Sequence, residues 1–220
     1  MNAPVDVVLP GMSRRAEHTA DAVVHGIGIA AAFAGAAALI VIAAVKRNGL
    51  ELATVTAYSF GLLAMLISST VYNMAERSRY RELLRRFDHA AIFVMIAGTY
   101  TPFTALGLSG SWAVAMTAFV WVVAALGVIL KLSVSSERFA KLSMALYLIF
   151  GWIGMVIMWP LLGAVGIPIL ALLATGGVIY SLGTIIHAID RLPFQRAIWH
   201  GFVVTAAAVH YAAIVALVNG

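Results

Sequence analysis

The sequence predicts an all-α membrane protein, folded as a bundle of seven transmembrane helices. Apolar residues make up 63% of the 220 residues, and charged residues only 10%. Soluble domains typically contain about 45–50% apolar and about 25% charged residues, so this chain has too little charge to cover a water-facing surface. The apolar residues are also grouped into long runs that short polar connections separate. Disorder is excluded because it requires low hydrophobicity.

Each apolar run is long enough to cross a bilayer, because a hydrocarbon core of about 30 Å requires roughly 20 helical residues. The predicted spans are approximately residues 22–45, 52–74, 87–107, 111–131, 139–159, 165–188 and 196–218. The short connections predict a single seven-helix domain over residues 21–220. Residues 1–20 are polar and contain two prolines, so we predict a flexible cytoplasmic tail there. The first run lacks a small-residue cleavage pattern, which favours a retained span over a signal peptide.

The distribution of Lys and Arg predicts how the bundle is oriented. With a cytoplasmic N-terminus, the inward segments carry 12 basic residues and the outward segments only Lys46 and Arg47. Basic residues accumulate in cytoplasmic loops, so the N-terminus is predicted inside and the C-terminus outside the plasma (inner) membrane. The net charge of +5 is explained by these loops, and no nucleic-acid partner is predicted. The chain has no cysteine, which excludes disulfides, thiol nucleophiles and thiolate metal sites.

Polar residues inside the apolar runs fall at a similar depth in five helices. They are His25 in the first span, Ser69 and Asn73 in the second, Asp88 and His89 in the third, His187 in the sixth, and Arg196 and His200 in the seventh. With the predicted orientation, all of them lie near the cytoplasmic ends of their helices. Polar groups in a membrane tend to face the bundle interior. We therefore predict a polar cavity in the cytoplasmic half of the bundle.

These residues also have purely structural interpretations. His25, Asp88 and His89 could be solvated at the membrane interface. Arg196 could extend to the lipid head groups, and Ser69 could donate to the backbone carbonyl one turn earlier in its helix. Both interpretations remain open from the residues alone.

Asp21 and His210 lie on the same predicted helices as His25 and His200, respectively, at spacings that suggest their roles. Asp21 precedes His25 by four residues, which allows a local side-chain pair on one helix face. His210 follows His200 by ten residues and so lies about 15 Å deeper along the helix. At that depth His210 requires a hydrogen-bond partner inside the bundle, which favours a structural role within the pocket.

Three segments resemble, in order, the motifs of the hemolysin III proteins. They are EHTADAVVHGIG (17–28), SSTVYNMAERSRYRELLRRFDHAAIFVMIAGTYTPF (68–103) and RLPFQRAIWHGFVVTAAAVHY (191–211). The TYTPF motif is specific, and the resemblance covers nearly the whole chain. It is a resemblance to the hemolysin III branch of the progestin and adipoQ receptor (adiponectin receptor) superfamily. The resemblance implies seven helices, a cytoplasmic N-terminus and membrane lipids as partners.

The resemblance also implies a zinc site of three histidines beside an Asp and a Ser. In this sequence Ser69, Asp88 and His200 match that pattern, but the other two ligand positions hold Asn73 and Arg196. Asn is a poor zinc ligand, and Arg cannot coordinate because it stays protonated. His25 aligns with a first-helix histidine that is not a usual ligand of the family.

This departure leaves two hypotheses for the site. In the first, zinc is lost and an Arg196–Asp88 ion pair takes its place, with Asn73 and His200 as hydrogen-bonding neighbours. In the second, a metal binds through a changed set of His25, Asp88 and His200, with His89 as a further candidate. Four nitrogen and oxygen groups of this kind could form a site.

The resemblance, taken together with the polar residues, implies two classes of function. One is a membrane hydrolase acting on a lipid amide or ester, with Asp88 as base or water-orienting group, Ser69 beside it, and His200 as ligand or acid–base partner. The other is a non-enzymatic protein: a lipid-binding receptor, a membrane-homeostasis factor or a haemolysin-like pore. The outer halves of the predicted spans are almost entirely apolar, which disfavours a pore.

Overall fold

The computed structural model describes residues 14–133, 140–157, 159–189 and 192–220. These residues form seven α-helices and one short 3-10 helix and contain no strand. The α-helices are α1 (Arg14–Val45), α2 (Gly49–Met74), α3 (Arg81–Gly107), α4 (Gly110–Ser133), α5 (Ala140–Ile157), α6 (Ile167–His187) and α7 (Gln195–Asn219). The 3-10 helix, Trp159–Gly163, lies between α5 and α6.

The helices have the length and surface of membrane spans. Within the described residues, α1, α2, α3, α4, α6 and α7 are long and apolar enough to cross a bilayer, and α5 contains a shorter apolar helix over Met144–Gly154. Large apolar side chains also cover the outside of the bundle; Val114 and Ile167, for example, are 71% and 76% exposed. An apolar exterior around backbone groups that are paired within helices is what a bilayer requires. The protein is therefore a multi-pass, all-α membrane protein.

Two helices begin more than one helical turn earlier than the apolar runs predict. Helix α1 starts at Arg14, so residues 14–20, which were predicted to be tail, are its first turns, and residues 1–13 lie outside the described part. Helix α3 starts at Arg81 instead of at residue 87. A count of apolar residues detects only the part of a helix inside the hydrocarbon, whereas hydrogen bonding continues the helix into polar residues. Glu17 in the first turn of α1 also complements the helix dipole.

Contacts at the helix ends define two ends of the bundle. At one end the Lys46 ammonium donates to the Val218 carbonyl and lies 3.5 Å from Glu51, so the end of α1, the start of α2 and the end of α7 meet there. At the other end the Phe194 amide donates to Glu17 at 3.2 Å, which joins the starts of α1 and α7. We call this second end the polar end.

Close packing brings α1, α2, α3 and α7 together. Helix α1 packs against α2 and α7, α2 packs against α3, and α3 also touches α7. A Cβ atom added at Gly61 would lie 3.0 Å from the Val94 carbonyl oxygen, and one added at Gly98 would lie 3.1 Å from the Ala57 carbonyl oxygen. Small residues thus let the α2 and α3 backbones approach closely, as is common in membrane bundles. This approach positions the polar residues of α2 against those of α3.

Candidate acid–base site

Six polar residues from four helices meet inside the polar end of the bundle. We call them the acid–base cluster: Asp21 and His25 on α1, Ser69 and Asn73 on α2, Asp88 on α3, and His200 on α7. The α1 pair and the α2 pair are each spaced by four residues, which places both members on one helix face. All except the partly buried Asp88 are at most 9% exposed. Their charges and hydrogen bonds therefore act in an environment with little water.

His200 connects a carboxylate to a hydroxyl. Its Nδ1 atom lies 2.5 Å from Asp21 Oδ1, and its Nε2 atom lies 3.5 Å from Ser69 Oγ. The ionised carboxylate can only accept a hydrogen bond, so Nδ1 carries the proton and donates it to Asp21. The lone pair of the neutral imidazole is then on Nε2 and faces Ser69.

His25 has the same tautomer as His200. Its Nδ1 atom lies 3.1 Å from Thr70 Oγ1, whose own proton is donated to the Leu66 carbonyl at 2.7 Å. Thr70 Oγ1 must therefore accept from His25 Nδ1, which leaves the lone pair on His25 Nε2. That buried nitrogen has no hydrogen-bond partner among the described residues. It lies 3.8 Å from Asp21 Oδ1, and the His25 ring is 4.2 Å from the His200 ring, centroid to centroid.

Asn73 and Asp88 complete the cluster around Ser69. Asn73 Nδ2 donates to the Ser69 carbonyl at 2.9 Å and lies 3.4 Å from Ser69 Oγ. A carbonyl oxygen only accepts, so this bond fixes the orientation of the Asn73 amide. The Asp88 side chain interacts with the Ser69 hydroxyl from α3 and lies near His200. Ser69 is therefore surrounded by an imidazole, a carboxylate and an amide donor.

The other sequence-predicted pocket residues lie outside the cluster. Arg196 forms an ion pair with Glu76 at 2.9 Å, and its side chain is 54% exposed, so the predicted Arg196–Asp88 pair is wrong for the described residues. Glu76 lies in the exposed connection between α2 and α3, where Arg196 can reach it without losing its hydration, whereas Asp88 is partly buried. Arg196 is still close enough for its charge to act on Asp21.

Two further histidines of the predicted pocket, His89 and His210, face other parts of the bundle. The charges of Lys131 and Arg85 act on the His89 side chain, which points to a different side of α3 from that of Asp88, as adjacent helix residues must. His210 Nε2 is 3.1 Å from the Leu173 carbonyl of α6, and a Cβ added at Gly176 would overlap its ring. Neither histidine belongs to the acid–base cluster.

Asp21 is the member of the acid–base cluster whose main contact the sequence did not predict. The sequence predicted only a local pair between Asp21 and His25, whereas the shortest Asp21 contact is with His200, 179 positions away along the chain. The available signal was the four-residue spacing to His25 combined with a charged residue at the start of an apolar run. Thr70, which orients His25, could not be distinguished from an ordinary helix hydroxyl.

Fold and site together define a class of protein: a multi-pass helical membrane protein with a buried acid–base cluster at one end of the bundle. The profile of the family described as "Haemolysin-III related" matches residues 14–211. The chain is 34% identical over 192 residues to "Hemolysin-3 homolog" of Bacillus subtilis (strain 168), covering 87% of this chain and 90% of that protein. It therefore belongs to the hemolysin III family.

Two further relatives extend this comparison. "Hemolysin-3" of Bacillus cereus is 33% identical over 195 residues, which cover 89% of this chain and 89% of that protein. The human "Monocyte to macrophage differentiation factor" is 34% identical over 204 residues, which cover 90% of this chain and 83% of that protein. The similarity thus extends over most of each chain, from bacteria to mammals.

The zinc ligand set implied by the family resemblance does not fit these residues. Arg196 is committed to Glu76 near the surface, and the Asn73 amide is turned with its NH₂ group toward Ser69. Of the three implied ligand positions, only His200 presents a group that coordinates zinc. No catalytic step through a metal at those positions can be derived from this arrangement.

Proposed function

We propose that this protein hydrolyses an ester or amide bond of a membrane lipid at the polar end of its bundle. The acid–base cluster is the observation that carries this proposal. Hydrolysis requires a base, an acid and a nucleophile held together, and the cluster supplies carboxylates, imidazoles and a hydroxyl within a bundle that is otherwise apolar. Ionisable groups buried at membrane depth are costly to fold and are most often functional.

We further propose that the polar end faces the cytoplasm of a plasma-membrane protein whose C-terminus is outside. The arginine-rich connection between α2 and α3 lies at this end, together with the starts of α1 and α7. Basic connections of this kind are retained inside and attract anionic lipid. The domain over residues 21–220 would then present the cluster to lipids of the inner leaflet.

Thiol labelling can test this orientation, because the chain has no cysteine of its own. In intact cells a membrane-impermeant maleimide is expected to label Asn48→Cys, in the α1–α2 connection, and to spare Ser78→Cys, in the α2–α3 connection. Permeabilised cells are expected to show labelling of both variants. The reverse pattern in intact cells would place the acid–base cluster on the outer side.

Hydrolysis is tested with purified protein in vesicles that contain a fluorescent phospholipid ester or a fluorescent N-acyl amide lipid. Wild type is expected to release labelled fatty acid from one of them, and both His200→Gln and Asp88→Ala are expected to reduce release by at least about 100-fold. Ser68→Ala is the matched control, because the Ser68 hydroxyl donates to the Ala64 carbonyl of its own helix. Equal release by wild type and His200→Gln would contradict the proposal.

A cation site is a second candidate function, and it is favoured by the lone pair on His25 Nε2, which has no hydrogen-bond partner in the described part of the chain. Potential ligand atoms of Asp21, His25 and His200 lie within 4.8 Å of one another. A divalent ion such as zinc held there would supply a Lewis acid that activates water. Elemental analysis of purified protein tests this site. The site is supported if wild type contains about one equivalent of metal and His25→Ala does not. The site is rejected if the metal content is the same in wild type, His25→Ala and His200→Gln.

A further inference from the structure

We propose that Ser69 is the nucleophile of this site, with His200 as its base and Asp21 as the group that orients the base, and that this reaction requires no metal. The inference deepens the proposed hydrolysis and rests on it. It assigns a covalent acyl-enzyme mechanism to a chain in which two implied zinc-ligand positions hold Asn73 and Arg196.

The connectivity of the three residues is that of a Ser-His-Asp triad. Asp21 binds His200 Nδ1 at 2.5 Å, and Ser69 lies on the opposite ring nitrogen, Nε2, at 3.5 Å. In such triads the carboxylate fixes the tautomer, so that Nε2 can accept the hydroxyl proton. Triads recur on unrelated folds and are recognised by this geometry, not by the order of residues along the chain.

The longer Ser69–His200 distance is compatible with this role. Hydrogen bonds between catalytic groups are often long before substrate binds and shorten in the complex. Ser69 and His200 are buried at 9% and 7% exposure, so an acyl chain must part the helices at the polar end to reach them. At the polar end Arg196 forms an ion pair with Glu76, and both side chains are about half exposed, so breaking this ion pair costs little.

Asn73 is placed to stabilise the oxyanion. One proton of its Nδ2 group is donated to the Ser69 carbonyl, and the same nitrogen lies 3.4 Å from Ser69 Oγ. The second proton is donated to Ser69 Oγ itself and so lies beside the nucleophile, next to the place where the negative oxygen of a tetrahedral intermediate develops. Side-chain amides serve as oxyanion donors in other acyl-transfer sites. Asn73 would thus serve as an oxyanion donor, a role that does not involve metal binding.

The reaction balances without any further reagent. Ser69 Oγ forms a bond to the acyl carbon while its proton passes to His200 Nε2. His200 then gives this proton to the leaving alcohol or amine as the ester or amide bond breaks, which leaves an acyl group on Ser69. Water attacks the acyl carbon with His200 accepting one proton; the Ser69–acyl bond breaks, and the proton returns to Ser69 Oγ as the fatty acid departs.

Asp88 is the competing base, because it also interacts with the Ser69 hydroxyl. A single hydroxyl donates one proton, so Ser69 can be activated by either His200 or Asp88. The Asp21–His200 contact favours His200, since it fixes the imidazole with its lone pair toward Ser69.

The test uses the whole protein in detergent and a small alkyl fluorophosphonate, which forms a stable adduct with activated serines. We expect mass spectrometry to find the adduct on Ser69, and EDTA not to slow its formation. Labelling is expected to be at least about 100-fold slower in His200→Gln and absent in Ser69→Ala. Ser68→Ala is the matched control and should label like wild type. Asp88→Asn is expected to slow labelling less than His200→Gln does.

Several results would overturn the assignment. Labelling that survives His200→Gln but is lost in Asp88→Asn would make Asp88 the base, and labelling that EDTA abolishes would require a metal. If wild type is not labelled, Ser69→Cys is treated with N-ethylmaleimide. Reaction of the cysteine would mean that the Ser69 hydroxyl is accessible but not activated, and no reaction would mean that position 69 is inaccessible. Either result rejects Ser69 as nucleophile.

The outcomes also separate this inference from the proposed function. Lipid hydrolysis without adduct formation would keep the hydrolase and remove the serine mechanism. Adduct formation on Ser69 without hydrolysis of either fluorescent lipid would keep the nucleophile and remove the proposed lipid substrates.

Discussion

Asp21→Asn is expected to slow adduct formation and lipid hydrolysis by on the order of 10⁴-fold while leaving the fold intact. The Asn amide can donate to His200 Nδ1, which the wild-type carboxylate cannot do. Nδ1 then becomes the acceptor and the imidazole proton moves to Nε2, so His200 can no longer take the Ser69 proton. The rate of fluorophosphonate adduct formation measures this loss directly, with circular dichroism as the check on the fold.

Glu76→Gln is the matched control for this loss of charge. Glu76 also forms an ion pair at the polar end, with Arg196, but its side chain is about half exposed and lies outside the acid–base cluster. Its removal is expected to change the rate by less than about threefold, because exposed ion pairs contribute little. If Asp21→Asn and Glu76→Gln had equal effects, Asp21 would be acting only through the overall charge of the polar end.

Removal of His200 has the largest expected effect on stability. His200→Leu is expected to lower the free energy of unfolding by about 3–5 kcal/mol, because it leaves the buried Asp21 carboxylate without its closest hydrogen-bond partner. Replacing the exposed Arg196 by Ala is expected to cost less than about 1 kcal/mol. Unfolding of the purified variants in detergent, followed by circular dichroism, compares the two.

A double variant identifies the origin of that cost. In Asp21→Asn/His200→Leu the uncompensated charge is gone, so the double variant should be more stable than His200→Leu alone. Two effects that simply add would mean that Asp21 and His200 are energetically independent, in conflict with their 2.5 Å contact.

The apolar runs predicted the seven helices because burial in a bilayer imposes both the length and the composition of a span. Prediction of helix starts failed only where hydrogen bonding carries α1 and α3 past the hydrocarbon into charged residues such as Arg14 and Arg81. The depth of His25, Ser69, Asn73, Asp88 and His200 could also be predicted, since the order of the spans alternates their direction across the membrane.

What the sequence by itself determined was therefore which residues lie at the same depth of the bundle. Only the tertiary structure decided which of them touch, because contact depends on how each helix is rotated about its axis. Rotation places Asp21 against His200, turns His89 away from Asp88 toward Lys131, and directs Arg196 to Glu76. These rotations are set by close packing between helices, such as the packing at Gly61 and Gly98 between α2 and α3. Such packing depends on both helices of a pair, so it cannot be predicted from either segment alone.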